Sequence, residues 1–223
     1  MNIRDSLERV IERIQKACQR AGRKMEEVRI VAVTKGVDVE RIAQARECGL
    51  KDFGENYVQE ARRKIEALGA EGIQWHMIGH VQANKAKYLP KLFSLVHSVD
   101  RMDIVERLER LCARMDVLFE LNLSGESTKF GLDEDGLKRI LEHVRALRYV
   151  RPVGLMTMAP ATRDPEETRP IFRRLREIME AANREFSLDL RELSMGMSQD
   201  FEVAIEEGAT MVRIGRAIFG ERG

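Results

Sequence analysis

Apolar positions along this chain follow two alternating rhythms. Leu7, Val10, Ile11, Ile14, Ala17, Cys18 and Ala21 fall three or four residues apart, a single helical stripe that stops at Gly22. Beyond it, short runs of β-branched and apolar residues occupy 29–34, 51–54, 74–79, 95–99, 117–123, 150–158, 192–195 and 211–215, which predicts eight strands. Helix-periodic stretches separate them at 39–48, 55–68, 82–92, 102–113, 135–147, 165–186 and 199–207, and a short tail at 217–220 closes the pattern. Some starts carry their own chemistry. Asp164-Pro165-Glu166-Glu167 offers an N-cap, a proline in the first turn and a carboxylate three residues on.

Strands that alternate with helices must run parallel, because parallel neighbours need a crossover between them. Eight such units in this length predict an α/β fold of the closed (β/α)8 barrel type, with an extra N-terminal helix. An open doubly wound sheet would need fewer units and would usually show a glycine-rich first turn, and the chain has no GxGxxG or GxxxxGK[ST]. The stretch 160–170 is too short for a linker, so one domain over 1–223 is expected, its helix at 1–22 covering the barrel.

Composition narrows the classes. Lys plus Arg (38) nearly balance Asp plus Glu (37), which gives no signal for nucleic acid or an anionic membrane. No run approaches the ~18 apolar residues of a membrane span. Met1-Asn2-Ile3-Arg4-Asp5 is charged where an export signal would be apolar. Cys18, Cys48 and Cys112 are odd in number and widely spaced, so they read as core thiols in a reducing cytoplasm rather than as a disulfide framework or a zinc site. No His-x-His, HExxH or acidic cluster suggests a metal.

Barrels of this type carry their chemistry at the C-terminal strand ends. Lys35 closes the run Ile30-Val31-Ala32-Val33-Thr34. An amine partly desolvated there is disposed to form a Schiff base with an aldehyde such as pyridoxal phosphate, although a lysine at a strand end can also simply snorkel. The same rule selects Asn56 after strand 2, His76 in strand 3, Met156 late in strand 6, Ser194 to Ser198 after strand 7, and Arg213 to Arg216 at the end of strand 8. The loops after strands 7 and 8 are where such barrels hold phosphate. Ser198 stands where a helix N-cap would be, and Gly215 either opens an anion cup or makes a turn. Arg213, sharing a face with Met211 and Gly215, would pair with a strand-end carboxylate such as Glu55 or with a pyridine nitrogen. His76 orients a cofactor or is a satisfied core histidine, His97 and His143 read as structural, and the 122–130 loop, with Ser124, Gly125, Ser127 and Lys129, either rims a site or is ordinary loop.

Ala32-Val33-Thr34-Lys35, Phe53-Gly54-Glu55-Asn56-Tyr57-Val58-Gln59-Glu60, Trp75-His76-Met77-Ile78-Gly79 and His97-Ser98-Val99-Asp100 together resemble one family in order and spacing. So do Gly154-Leu155-Met156, Leu193-Ser194-Met195-Gly196-Met197-Ser198 and Met211-Val212-Arg213-Ile214-Gly215. That family is the pyridoxal-phosphate homeostasis proteins. The resemblance implies a barrel like the N-terminal domain of alanine racemase, with pyridoxal 5′-phosphate held covalently by Lys35. It also implies phosphate contacts at Ser198, Gly215 and Arg216, a pyridine-facing Arg213, and Asn56 near the ring. Many members have threonine where Arg216 stands and proline where His80 stands. The implied role is to hold the cofactor and deliver it to apoenzymes. A racemase-type enzyme is the alternative, but it would draw its second base from a separate β-domain, for which the chain leaves no room after strand 8. An unrelated barrel enzyme for phosphorylated sugars is a third reading. A monomer is expected, with no nucleic-acid or membrane partner.

Overall fold

The computed structural model describes residues 2–69, 71–125 and 130–221. Eight parallel strands, β1 (Arg29–Val33), β2 (Asp52–Glu55), β3 (Gln74–Met77), β4 (Leu95–Val99), β5 (Met115–Leu121), β6 (Val150–Thr157), β7 (Glu192–Ser194) and β8 (Met211–Ile214), follow one another in chain order round a closed barrel. β1 closes the ring on β8, with Val31 level with Arg213. The expected barrel is therefore the observed one.

Helices α1 (Ile3–Arg20), α2 (Val39–Glu47), α3 (Val58–Leu68), α4 (Leu89–Leu92), α5 (Met102–Arg110), α6 (Glu134–Leu141), α7 (Arg169–Phe186), α8 (Phe201–Glu206) and α9 (Arg216–Phe219) complete the layer outside it. Most of them are shorter than their periodicity suggests, three for visible reasons. The 82–92 stretch begins as a 3-10 turn, Ala83–Tyr88, before α4. α6 stops early because the His143 ring takes the Arg139 carbonyl at 2.8 Å, and the His143 N–H moves to Ile140 at 3.0 Å. Pro170, in the first turn of α7, has no N–H to bond back into the 3-10 turn Pro165–Thr168 that precedes the helix.

Two apolar cores result. Strand residues facing outward, among them Ala32, Phe53, Trp75, Val96, Phe119, Leu155 and Val212, pack under the helices. A smaller cluster of Val31, Ile78, Leu95, Leu118, Met156 and Met211 fills the lumen. The N-terminal end of the barrel is closed by charge. Arg29 meets Glu192 at 2.5 Å, Arg151 meets Asp116 at 2.7 Å through its Nε, and Asp52 meets His76 at 3.0 Å. α1 lies against α8 and α9, held by Arg13–Glu202 at 2.7 Å and Arg20–Glu206 at 2.6 Å.

The cysteines depart from expectation. Cys18 is buried, but Cys48 is half-buried and Cys112 is exposed at φ +51°. Cys112 sits in the turn that ends α5, one residue beyond the apolar stripe's useful reach. Its hydrophobic neighbours in sequence misled the core assignment.

Gly154 faces the backbone of Glu192, its partner in β7. A Cβ added there would lie 1.9 Å from the Glu192 carbonyl oxygen. Gly154→Ala is expected to destabilise the barrel by about 3 kcal/mol or more in urea unfolding. An unchanged midpoint would show that the β6–β7 pairing is looser than this geometry.

Candidate functional site

Lys35 sits in the turn directly after β1, half-buried, with its Nζ 5.2 Å from the centre of the Tyr57 ring. The turn is clamped from both sides. The Thr34 hydroxyl donates to Glu55 Oε1 at 2.6 Å, and the Thr34 carbonyl accepts from Lys64 Nζ at 2.6 Å. Lys64 also reaches Glu55 at 2.6 Å and Glu60 at 2.7 Å, and the Gly36 N–H donates to Glu60 Oε1 at 2.7 Å. Gly36 adopts φ +70°, which a residue without a Cβ takes without strain. Glu55 is fully buried, and desolvation raises its carboxyl above the usual range despite the opposing pull of Lys64 and Thr34. Glu55 thus pairs with Lys64, not with Arg213.

Arg213 is buried in the upper lumen with no carboxylate hydrogen-bonded to it among the described residues. Its Nη1 donates to the Ser194 carbonyl at 2.8 Å and hydroxyl at 2.6 Å, and its Nη2 donates to the Thr157 carbonyl at 2.8 Å. Burial pulls the guanidinium down to about 10, with Glu120 and Asp200 opposing that shift, so it is charged at neutral pH. Three of five donors are spent. The remaining Nε–H and one Nη2–H are spare.

Two cavities open at this end. One, of about 190 Å³, is lined by Val33, Ser198, Asp200, Arg213, Gly215 and Arg216 among others. Ser198 does not cap α8, whose N-cap is Asp200; its hydroxyl instead accepts from the Ala217 N–H at 3.3 Å, at the start of α9. Asp200 turns its carboxylate to the Met197 N–H at 2.6 Å, and burial raises its pKa. The other cavity, of about 480 Å³, is lined by Asn56, Tyr57, Ile78, Gly79, His80, Glu120, Phe130 and Met158 among others. Phe130, at the end of the 122–130 loop, stacks on His80 at 3.7 Å and lines this cavity; Ser127 and Lys129 lie outside the described residues.

Of the nine residues selected from sequence, Lys35, Asn56, Ser198, Arg213, Gly215 and Arg216 reach this end of the barrel. The other three lie beneath it. His76 bonds His97 and Asp52 and lines a cavity at the opposite, basal end. Met156 is part of the lumen cluster, and Ser194 is buried under Arg213. The reason is register: His76 is level with Gly54 and Leu95, too low on its strand to face the mouth. His143 is exposed on α6's edge, away from the site. Sequence reading missed Lys64, Glu120 and Asp200. Lys64 could have been found, since it falls on the stripe of Val58 and Ala61, the buried face of α3.

Comparison with known proteins agrees with this geometry. Residues 6–223 match the family model for the alanine racemase N-terminal domain. The alanine racemase of Corynebacterium glutamicum shares the fold, with TM-score 0.73 at 18% identity over 98% of this chain and 62% of that one. The class is thus an alanine-racemase-like barrel. Within it, the pyridoxal phosphate homeostasis protein of Aquifex aeolicus is 47% identical over 100% of this chain and 99% of its own. That of Pseudomonas aeruginosa is 40% identical over 99% and 96%. PipY of Synechococcus elongatus, in its structure with PLP bound, superposes with TM-score 0.82 at 34% identity, over 87% of this chain and 93% of that one. The chain belongs to the pyridoxal phosphate homeostasis protein family.

Glu120 gives the site a pH signature. Its carboxylate is buried and makes no hydrogen bond among the described residues. Desolvation and Asp100 push it up to about 7, with Arg213 opposing. A raised carboxyl pKa contributes stability that is fully present below the unfolded value and is lost as pH rises through the folded one. Glu120→Gln is therefore expected to be more stable than the parent at pH 8, by about 2 kcal/mol, with the difference fading towards pH 5. Urea unfolding at the two pH values measures it, and a difference independent of pH would contradict the assignment.

Proposed function

We propose that this protein binds pyridoxal 5′-phosphate at the barrel mouth as a Schiff base on Lys35, and keeps and hands over the cofactor within cellular vitamin B6 homeostasis. The observation that carries this reading is the clamped turn. The half-buried Lys35 is carried by a turn tied down through Thr34, Gly36, Glu55, Glu60 and Lys64, its amine beside Tyr57 in the wall of the larger cavity, with the spare donors of Arg213 in the neighbouring lumen.

The residues fit the group in chemical type. Ser198, Gly215 and Arg216 line the smaller cavity, where hydroxyl and backbone N–H donors would receive the phosphate. Asp200 also lines this cavity, its carboxylate turned to the Met197 N–H and its pKa raised by burial. Arg213 would face the pyridine nitrogen and, being charged, would leave that nitrogen unprotonated. Asn56 would lie near the ring, in the wall of the larger cavity. When bound, the cofactor supplies an electrophilic aldehyde and an electron sink; a charged arginine at its nitrogen weakens the sink, which suits storage better than carbanion chemistry.

The handover role extends to PLP-dependent apoenzymes, with the protein acting as a cytoplasmic monomer. Among the described residues no helix is long and apolar enough to cross a membrane, and no group of His, Cys, Asp or Glu is placed to hold a metal. Glu120 favours a second reading, an amino-acid racemase-type enzyme, since a carboxyl near neutrality lines the larger cavity. Deuterium exchange at the Cα of added amino acids separates the two.

Lys35→Ala tests the central claim. The variant is expected to fold like the parent and to lose the visible absorbance of the protein-bound Schiff base, leaving at most weak non-covalent binding. Unchanged absorbance would overturn the assignment. A second variant concerns the clamp. Lys64→Met leaves Glu55 buried without its cation, at a cost of about 3–5 kcal/mol in urea unfolding. A loss below ~1 kcal/mol would show that the clamp is dispensable.

A further inference from the structure

The lumen of the barrel carries an unbroken run of hydrogen bonds from one end to the other. Arg213 Nη1 lies 2.6 Å from Ser194 Oγ, and Ser194 Oγ lies 2.8 Å from His97 Nδ1. His97 Nε2 lies 2.8 Å from His76 Nδ1, and His76 Nε2 lies 3.0 Å from Asp52 Oδ1. Ser194 and His97 are fully buried, and Arg213 and His76 nearly so. Asp52 opens β2 and lines the basal cavity, so the run begins at the cofactor end and finishes at the opposite rim.

Its direction follows from what each group can do. A guanidinium has no acceptor, so the Ser194 oxygen must accept from Arg213. The serine's own proton then points to its other neighbour, His97 Nδ1, which accepts. His97 is neutral, held well below the usual imidazole range chiefly by burial, with the charge of Arg213 adding to it. With Nδ1 accepting, its proton is on Nε2 and is donated to His76 Nδ1. His76 in turn carries its proton on Nε2 and donates it to the Asp52 carboxylate. The opposite sense would leave the Ser194 proton without an acceptor. Every dipole in the run is therefore aligned between the cation at one end and the anion at the other, and each bond strengthens the next.

We propose that Asp52, His76, His97 and Ser194 are positioning residues, a one-way chain that holds the guanidinium of Arg213 in its cofactor-facing orientation from the far end of the barrel. The chain fills a need that no contact at the mouth meets: among the described residues neither Glu120 nor Asp200 hydrogen-bonds Arg213, although both act on it through charge. It occupies Nη1 completely, and Thr157 takes one proton of Nη2. The two spare donors then have a single direction. This inference rests on the reading of Arg213 as the pyridine-facing residue.

The chain can be read without the cofactor. Long-range ¹H–¹⁵N spectra of the cofactor-free protein, with labelled histidine and arginine, are expected to show His76 and His97 as neutral Nε2–H tautomers. They should also show a sharp Arg213 Nε–H signal, which shifts and broadens in His97→Leu. A cationic or Nδ1–H His97, or an Arg213 signal indifferent to His97→Leu, overturns the chain. Cofactor titration followed by absorbance gives the second arm. Asp52→Asn keeps an acceptor for His76 but removes the charge, and is expected to weaken binding several-fold. His97→Leu is expected to weaken it about tenfold, near 1.4 kcal/mol. His97→Gln, able to accept from Ser194 and donate to His76, restores most of that loss. Parent-like affinity in both Asp52→Asn and His97→Leu overturns the positioning role. If the parent itself takes up no pyridoxal phosphate, the cofactor-facing role falls with the site reading, while the histidine spectra still decide whether the chain exists.

Discussion

A buried cation with no carboxylate hydrogen-bonded to it is the constraint on which the rest of this barrel turns. Arg213 stands in the lumen of a closed sheet, where charge is costly unless its donors are all directed. Its partners come from β6 through Thr157 and from β7 through Ser194. Through Ser194 it reaches β4, β3 and β2 by way of His97, His76 and Asp52. One side chain thus organises polar groups on most of the strands. What would otherwise be a purely apolar lumen becomes a polar column beside a small apolar cluster of Val31, Ile78, Leu95, Leu118, Met156 and Met211.

The second constraint is local and sits at the end of the neighbouring strand, β1. Lys35 is carried by a turn that has no freedom to drift, because Thr34 and Gly36 are tied to Glu55, Glu60 and Lys64. Such an arrangement costs desolvation of a lysine and a glutamate. Its product is a fixed backbone point from which the Lys35 side chain extends. Rigid backbone with one reactive side chain is what a covalent holder of an aldehyde requires, since the same bond must form and reverse without reorganising the fold.

Much of this was legible in the sequence, and the failures have physical causes. Short continuous apolar runs between helical stripes located every strand, because a parallel barrel buries both faces of its strands and leaves little ambiguity about where apolar runs begin. Lys35, Arg213 and Gly215 were found by their places at strand ends. Height along a strand was harder. His76 and Ser194 sit in motifs that also hold mouth residues, and only the stagger of neighbouring strands tells which of them reaches the surface. Pairings across the fold were harder still. Nothing local distinguishes a Glu55 that meets Arg213 from one that meets Lys64, and Glu120 reads as an ordinary strand residue until its neighbours are in place. Cys112 was misread because an apolar stripe does not say where its helix ends.

The most direct test of the account is chemical. Protein loaded with pyridoxal 5′-phosphate would be reduced with borohydride, digested and mapped by mass spectrometry. The account requires the reduced cofactor's mass on the peptide containing Lys35 and at no comparable level elsewhere. Label on Lys64 or Lys85 in its place, or no stable label after reduction of protein that has demonstrably bound the cofactor, would contradict it.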